Sequence, residues 1–259
     1  MTGARYVYAV CRPFDTPLQS QLTGVAGAPP RRLAHRGLVA VHSEVPERDF
    51  AEEALRARLA DPDRLDATVR AHRNVVDALT VVTTPLPLRP GTVFRDDSGL
   101  RSMVEEREAP FRRELARLDG RVEWAVRVRI EQPAPPGTRG RRDSPAVPHS
   151  RPGGDGPPPG RTPAAVRENP RRNAEEFAGR LHGMLTAFSE DFRGRFQERA
   201  GPPGAAGWNV LDAAYLVPRT RCGAFVAEVE RARAEAPGLR VELDGPRAAY
   251  SFVAADAAG

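Results

Sequence analysis

The sequence predicts an α+β protein of two domains, 1–120 and 121–259. The second reads as ferredoxin-like, with helices on one face of a mainly antiparallel sheet and one long helical element. Three observations predict this. Arg5 to Cys11 is a dense run of β-formers at the start of the chain. Val122 to Ile130 alternates apolar with charged residues, the period of a strand. From it onward the second half reads strand, helix, strand, helix, strand, strand, an order that suits a ferredoxin-like sheet. At 259 residues the chain is long for a single core, which usually serves roughly 100 to 200 residues, and short for three.

In the first half, Arg5 to Cys11 ends at Pro13 and reads as a buried strand. Leu38 to Val45, entered through Gly37 and closed by Pro46, is a second strand expected to pair with it. A helical pattern follows, with Phe50, Ala54, Leu55 and Leu59 on one face. Asp61-Pro62 then supplies an N-cap and a first-turn proline for the next helix. Its stripe of Leu65, Val69, His72, Val76 and Leu79 is expected to pack on the sheet. Pro85 to Phe94 reads as extended. Leu100, Met103, Val104, Phe111, Leu115 and Leu118 recur at helical spacing until Gly120. Pro110 should kink or split that helix, because it lacks an amide donor and its ring clashes one turn back.

In the second half, the alternation of Val122 to Ile130 predicts a half-solvated strand with Glu123 on the charged face. Gln132 to Pro163 is rich in Pro, Gly, Ser and Arg, and too poor in apolar residues to offset the entropy of ordering, so it reads as a disordered insertion. From Ala164 a helical pattern places Phe177, Leu181, Met184, Leu185, Phe188, Phe192 and Phe196 on one side. Gly179, Gly183 and Gly194 point to a broken helix or a hairpin there. Val210 to Val217 is a strand stopped by Pro218, and Thr220 caps a helix through Phe225, Val229 and Ala232 that Pro237-Gly238 ends. Leu239 to Leu243 and Tyr250 to Val253 read as short strands around a turn at Asp244-Gly245-Pro246.

Chemistry is mostly absent from the pattern. The pI of about 9.9 would suit a phosphate binder, but Gln132 to Arg161 holds five arginines against Asp143 and Asp155, leaving the rest of the chain close to neutral. No lysine occurs, which removes the P-loop, and no glycine run spaced for a dinucleotide follows a predicted strand. Cys11 and Cys222 lack neighbours at zinc-ligand spacing, and no serine sits in a Gly-x-Ser-x-Gly elbow. The longest apolar stretch, Leu79 to Leu88, is interrupted by prolines and falls short of the roughly 20 residues a membrane span needs. His72, on an apolar helix face near Arg73 and Asp77, reads as a buried imidazole bonded to a backbone carbonyl. Tyr6, Tyr8, Trp124 and Tyr215 read as core or sheet aromatics whose polar tips find a partner.

A family likeness emerges from six segments in order. Tyr6-Val7-Tyr8 resembles the opening Tyr-x-Tyr strand of the gas vesicle protein L/F family, and His72 with Val75 and Val76 is similar to its His-x-x-Val/Ile helix end. Pro87-Leu88-Arg89-Pro90-Gly91-Thr92-Val93-Phe94 resembles its Pro-Leu-Arg-Phe-Gly-Thr-Val-Phe segment. Gly120 to Val128, with Glu123-Trp124, is similar to its Gly-x-x-Glu-Trp-Gly-Val-Lys-Val strand. Ala213-Ala214-Tyr215-Leu216-Val217, then Gly245-Pro246 through Tyr250-Ser251-Phe252-Val253, complete the order. Pro90 and Arg247 stand where the family usually has phenylalanine and often tryptophan, two departures expected to weaken local packing.

The resemblance implies a cytoplasmic, gas-vesicle-associated accessory or minor structural protein. It implies contact with the small hydrophobic shell protein, through the N-terminal domain, and with other accessory proteins. No enzymatic role, cofactor, metal, small-molecule ligand, membrane or nucleic-acid partner is expected. The alternatives are an enzyme using His72, Arg89 and Glu123, and an Arg-rich nucleic-acid binder acting through the insertion.

Overall fold

A computed structural model of the chain describes residues 3–18, 21–130, 170–195 and 208–254. The predicted insertion at 132–163 and Phe196 lie outside the described residues. In the first half, strands Gly3–Cys11 (β1), Pro30–His35 (β2) and Leu38–Pro46 (β3) precede helices Glu47–Phe50 (α1), Glu52–Ala60 (α2) and Pro62–Leu79 (α3). Short strands Leu86–Pro87 (β4) and Val93–Phe94 (β5) and helices Asp97–Glu106 (α4) and Glu108–Leu118 (α5) follow. The second half runs Arg121–Ile130 (β6), Pro170–Thr186 (α6), Asp191–Arg195 (β7), Trp208–Pro218 (β8), Cys222–Glu235 (α7) and Leu239–Arg247 (β9).

The unbroken β-formers of β1 are explained by burial on both faces. The strand pairs antiparallel with β3, as expected from sequence, and with β4 and β5, in the order β2-β3-β1-β4. Its register slips at Tyr8, so Tyr8 and Ala9 both face the side covered by α1 and α3, while Val7 and Val10 face α4 and α5. The helices thus lie on both faces of this sheet. β2 was not read from the sequence, because Arg31 and Arg32 hide its pattern on an exposed edge.

Asp61 caps α3 by accepting from the Arg64 amide at 3.0 Å, with Pro62 in the first turn. The buried face is Thr68, His72, Val75, Val76 and Leu79, whereas Leu65 is 38% exposed. The predicted stripe fails at its start because those turns meet α2, where Arg58 Nε donates to Thr68 Oγ1, rather than the sheet. α2 itself buries no residue fully. The helix around Pro110 is split, at Arg107, which places Pro110 in the first turn of α5 where no amide donor is required.

The second sheet has the order β7-β8-β6-β9 with every neighbouring pair antiparallel. Combined with the element order βαββαβ, this is the ferredoxin-like arrangement, with α6 and α7 on one face. Phe177 and Leu181 of α6 and Phe225 and Val229 of α7 pack there on Val122, Trp124 and Val126.

Four readings of this half need correction. β6 is not half-solvated along its first residues, since its other face is also covered: Glu123 is 0% exposed and Ala125 is buried. α6 runs unbroken through Gly179 and Gly183, and Phe192 belongs to β7; a Cβ on Gly194 would lie 2.6 Å from the Ala213 Cβ, so that glycine permits strand pairing. Thr220 lies in a 3₁₀ turn, and Arg221 occupies the N-cap of α7 without a side-chain cap. Asp244 to Pro246 is an irregularity inside β9, and Tyr250–Phe252 is a 3₁₀ turn rather than a strand.

Gly120 separates the two sheets, but the hydrophobic core does not divide there. Ala214 and Leu216 of β8, with Ala249 and Phe252, pack among Val7, Leu88, Phe111 and Leu118. Burying a phenylalanine such as Phe252 contributes roughly 1.5–3 kcal/mol, so the terminal turn helps hold the halves together.

Candidate functional site

Several residues that carry the sequence likeness lie near the seam between the sheets. Tyr6 projects from β1 toward α3, where its hydroxyl accepts from the Gly91 amide at 3.1 Å and shares a 3.1 Å hydrogen bond with His72 Nδ1. His72 is buried as expected, with the Tyr6 phenol as its side-chain partner. Its Nε2 is buried without a hydrogen-bond partner among the described residues, and the Leu88 backbone favours the protonated ring. Burial brings the imidazole down to about 4, so it is neutral at physiological pH.

Tyr8 accepts from the Val25 amide at 2.9 Å and donates to Ser43 Oγ at 2.8 Å, which pins the turn at Val25–Gly27 to the sheet. The Tyr6, Tyr8 and Tyr250 rings surround His72, with centroids 5.7, 5.5 and 6.3 Å away. Burial pushes all three phenols above their ordinary range.

The second anchor is Glu123. Its Oε1 accepts from Arg247 Nη2 at 2.7 Å, Arg247 Nε at 3.1 Å and Ser251 Oγ at 2.9 Å, while Oε2 accepts from the Ser251 amide at 2.8 Å. A buried carboxylate is tolerated only when its charge and lone pairs are met, and these donors meet them. Arg247, expected to weaken packing, instead supplies the counter-charge. Gly245 lies beneath Trp124 at φ +144°, where a Cβ would come within 2.8 Å of the Trp124 ring and 2.9 Å of the Glu123 carbonyl oxygen.

Between these anchors a cleft of about 380 Å³ opens, lined by Arg70, Arg73 and Asp77 of α3 and by Asp244, Pro246 and Tyr250. Burial raises the Asp77 carboxyl, and Asp77 Oδ1 and the Tyr250 hydroxyl are buried without a hydrogen-bond partner among the described residues. The charges around the cleft are mixed and partly paired, Arg70 with Asp66 and Arg247 with Asp244. Among the described residues no group of three or more His, Cys, Asp and Glu side chains could hold a metal ion, and no helix is long and apolar enough to cross a membrane.

The other signature positions lie elsewhere. Trp124 Nε1 donates to Cys222 Sγ at 3.4 Å, and the Tyr215 hydroxyl and His182 Nδ1 are 2.8 Å apart, both on the helix-covered face of the second sheet. Pro87 sits opposite Ala9 in β4. Arg89 is exposed, and its carbonyl accepts from Thr92 N and Oγ1. Phe252 is buried, with its carbonyl accepting from Arg117. His72 and Glu123 are thus engaged in separate hydrogen-bond sets, and Arg89 faces solvent. The Glu123–Ser251 bond joins residues 128 positions apart, a pairing without a local signal.

The family model for the gas vesicle synthesis protein GvpL/GvpF matches residues 4–254. Gas vesicle protein L of a Streptomyces species is 45% identical over 255 residues, covering 96% of this chain and 92% of that protein. Gas vesicle protein F of the same strain is 28% identical over 265 residues, covering 96% and 98%. The crystal structure of GvpF from an Anabaena species aligns with TM-score 0.63 at 16% identity, over 97% of this chain and 96% of that one. That of GvpF from Microcystis aeruginosa aligns with TM-score 0.64 at 17% identity, over 98% and 100%. At those identities the two crystal structures speak to the fold.

Proposed function

The chain belongs to the gas vesicle protein L/F family and has a gas-vesicle role, and from that premise we propose that it binds the hydrophobic vesicle shell protein and other accessory proteins. In this reading it promotes vesicle assembly as an accessory or minor structural protein, works in the cytoplasm and catalyses no reaction. The match across residues 4–254 carries the proposal. The higher identity to protein L, 45% against 28% for protein F, favours an L-type role.

The physical complement is a framework in which Tyr6, His72, Glu123 and Arg247 are spent on internal hydrogen bonds, while β2 and β7 form sheet edges. Edge strands offer main-chain donors and acceptors to an extended partner, a means of holding an aggregation-prone apolar subunit before it enters a shell. The catalytic alternative finds no support in the placement of His72, Arg89 and Glu123.

Co-expression with the shell protein tests the proposal. The shell protein should stay soluble and co-purify with this chain, including after deletion of residues 132–163. Precipitation of the shell protein alone, with this chain eluting free, would refute it.

A further inference from the structure

β9 is the edge of the second sheet opposite β7, and among the described residues it pairs with β6 alone. The Val241 carbonyl accepts from Arg233 Nε at 3.1 Å, and the Leu239 amide donates to the Ala236 carbonyl at 3.1 Å. Both groups therefore point away from β6. By the alternation of an antiparallel ladder, Leu239, Val241 and Leu243 turn their main chain to the open edge. The Val241 carbonyl keeps a second lone pair for a further donor. Beyond Asp244 the register with β6 shifts, which ends the regular edge.

The side-chain pattern along this edge is symmetric about Val241. Leu239, Val241 and Leu243 lie on the helix-covered face, with Val241 buried and the two leucines half-buried against the core. Arg240 and Glu242 alternate with them and pair with each other at 2.8 Å, with Arg240 exposed. A two-fold axis through Val241 would set Leu239 opposite Leu243, Arg240 opposite Glu242 and Val241 opposite itself. Every charge then faces its opposite and every apolar side chain an apolar one. An axis at Arg240 or at Glu242 would instead set like charges against each other, so the charges also select the register.

We infer that β9 is a self-complementary edge through which two copies of this chain pair antiparallel about Val241, joining two four-stranded sheets into one continuous sheet. The occupant is a second copy because β9 itself carries the complement that β9 requires. The Val241 amides and carbonyls are exchanged across the axis, and the half-buried leucines of each copy gain cover from the other. The pairing holds with or without the assembly role, and it leaves the β7 edge open.

Sedimentation equilibrium of the full chain tests it, using wild type, Arg240→Glu and Glu242→Arg. The wild type should dimerise. Each variant alone sets like charges opposite each other at two places and should weaken the dimer by about tenfold or more, with its circular dichroism unchanged. Mixed in equal amounts, the two variants should recover the dimer, because each supplies the charges that the other lacks.

A wild-type chain that stays monomeric at roughly 100 μM would overturn the inference. So would a dimer that neither variant weakens, or a mixture that associates no better than the variants alone. If Glu242→Arg does not fold, the exposed position decides: an Arg240→Glu dimer weakened about tenfold supports the pairing, and one of wild-type strength overturns it.

Discussion

Glu123 and Arg247 form a hydrogen-bonded ion pair, 2.7 and 3.1 Å from Oε1 to the guanidinium nitrogens, in which the carboxylate is wholly buried. It joins adjacent strands of the second sheet, and Ser251 extends it into the terminal turn that packs on the first half.

Arg247→Ala should destabilise the protein by about 3–5 kcal/mol, because it leaves a buried carboxylate without its counter-ion. Glu123→Gln should cost less than Glu123→Ala, since the amide keeps an acceptor for Ser251. Urea unfolding of the three variants gives the order, and an Arg247→Ala loss below 1 kcal/mol would show that the pair contributes little.

Tyr6→Phe removes the acceptor for the Gly91 amide and the hydrogen bond to His72 Nδ1 while keeping the ring. The expected loss is about 1–3 kcal/mol, that of leaving buried polar groups unmet. Differential scanning fluorimetry should show a lower melting temperature and an unchanged fold by circular dichroism.

The pH dependence follows from His72, whose folded pKa is lowered from 6.5 to about 4 by burial. A depressed histidine binds fewer protons in the folded state, so its contribution is fully present above the unfolded value and is lost as pH falls through the window from 6.5 to about 4. The full loss is about 3 kcal/mol. Burial also lowers His42, which adds in the same direction. Stability measured against pH should slope less steeply in His72→Gln than in the wild type, and parallel curves would count against this assignment.

Gly245→Ala should be poorly tolerated, because a Cβ at φ +144° would enter the Trp124 ring edge. A loss of about 1–3 kcal/mol is expected from the strained backbone, with more from the clash. Trp124 fluorescence should shift as the indole moves.

The strands β1, β3 and β8 were legible as dense runs of β-formers, β6 by its period of 2, and the helices α3 and α7 by apolar spacing near 3.6. The seam was partly legible. Tyr6, Tyr8, His72, Glu123 and Gly245 were singled out, yet alternation put Glu123 in water, since the period of one strand cannot say what covers its second face. β2 and the 3₁₀ turn at Tyr250–Phe252 were missed or misread, because an exposed arginine-rich edge looks like a loop and a short apolar run looks like a strand.

By itself the sequence determined the mixed class, the main elements and the family, since spacing, caps and ordered motifs are local properties of the chain. Only the tertiary structure decided that Glu123 is buried against Arg247 and Ser251, that His72 answers to Tyr6, and that the core is shared across the sheets. Those outcomes depend on contacts between distant residues, where the cost of burying a charge or a polar group is met by partners that no local pattern announces.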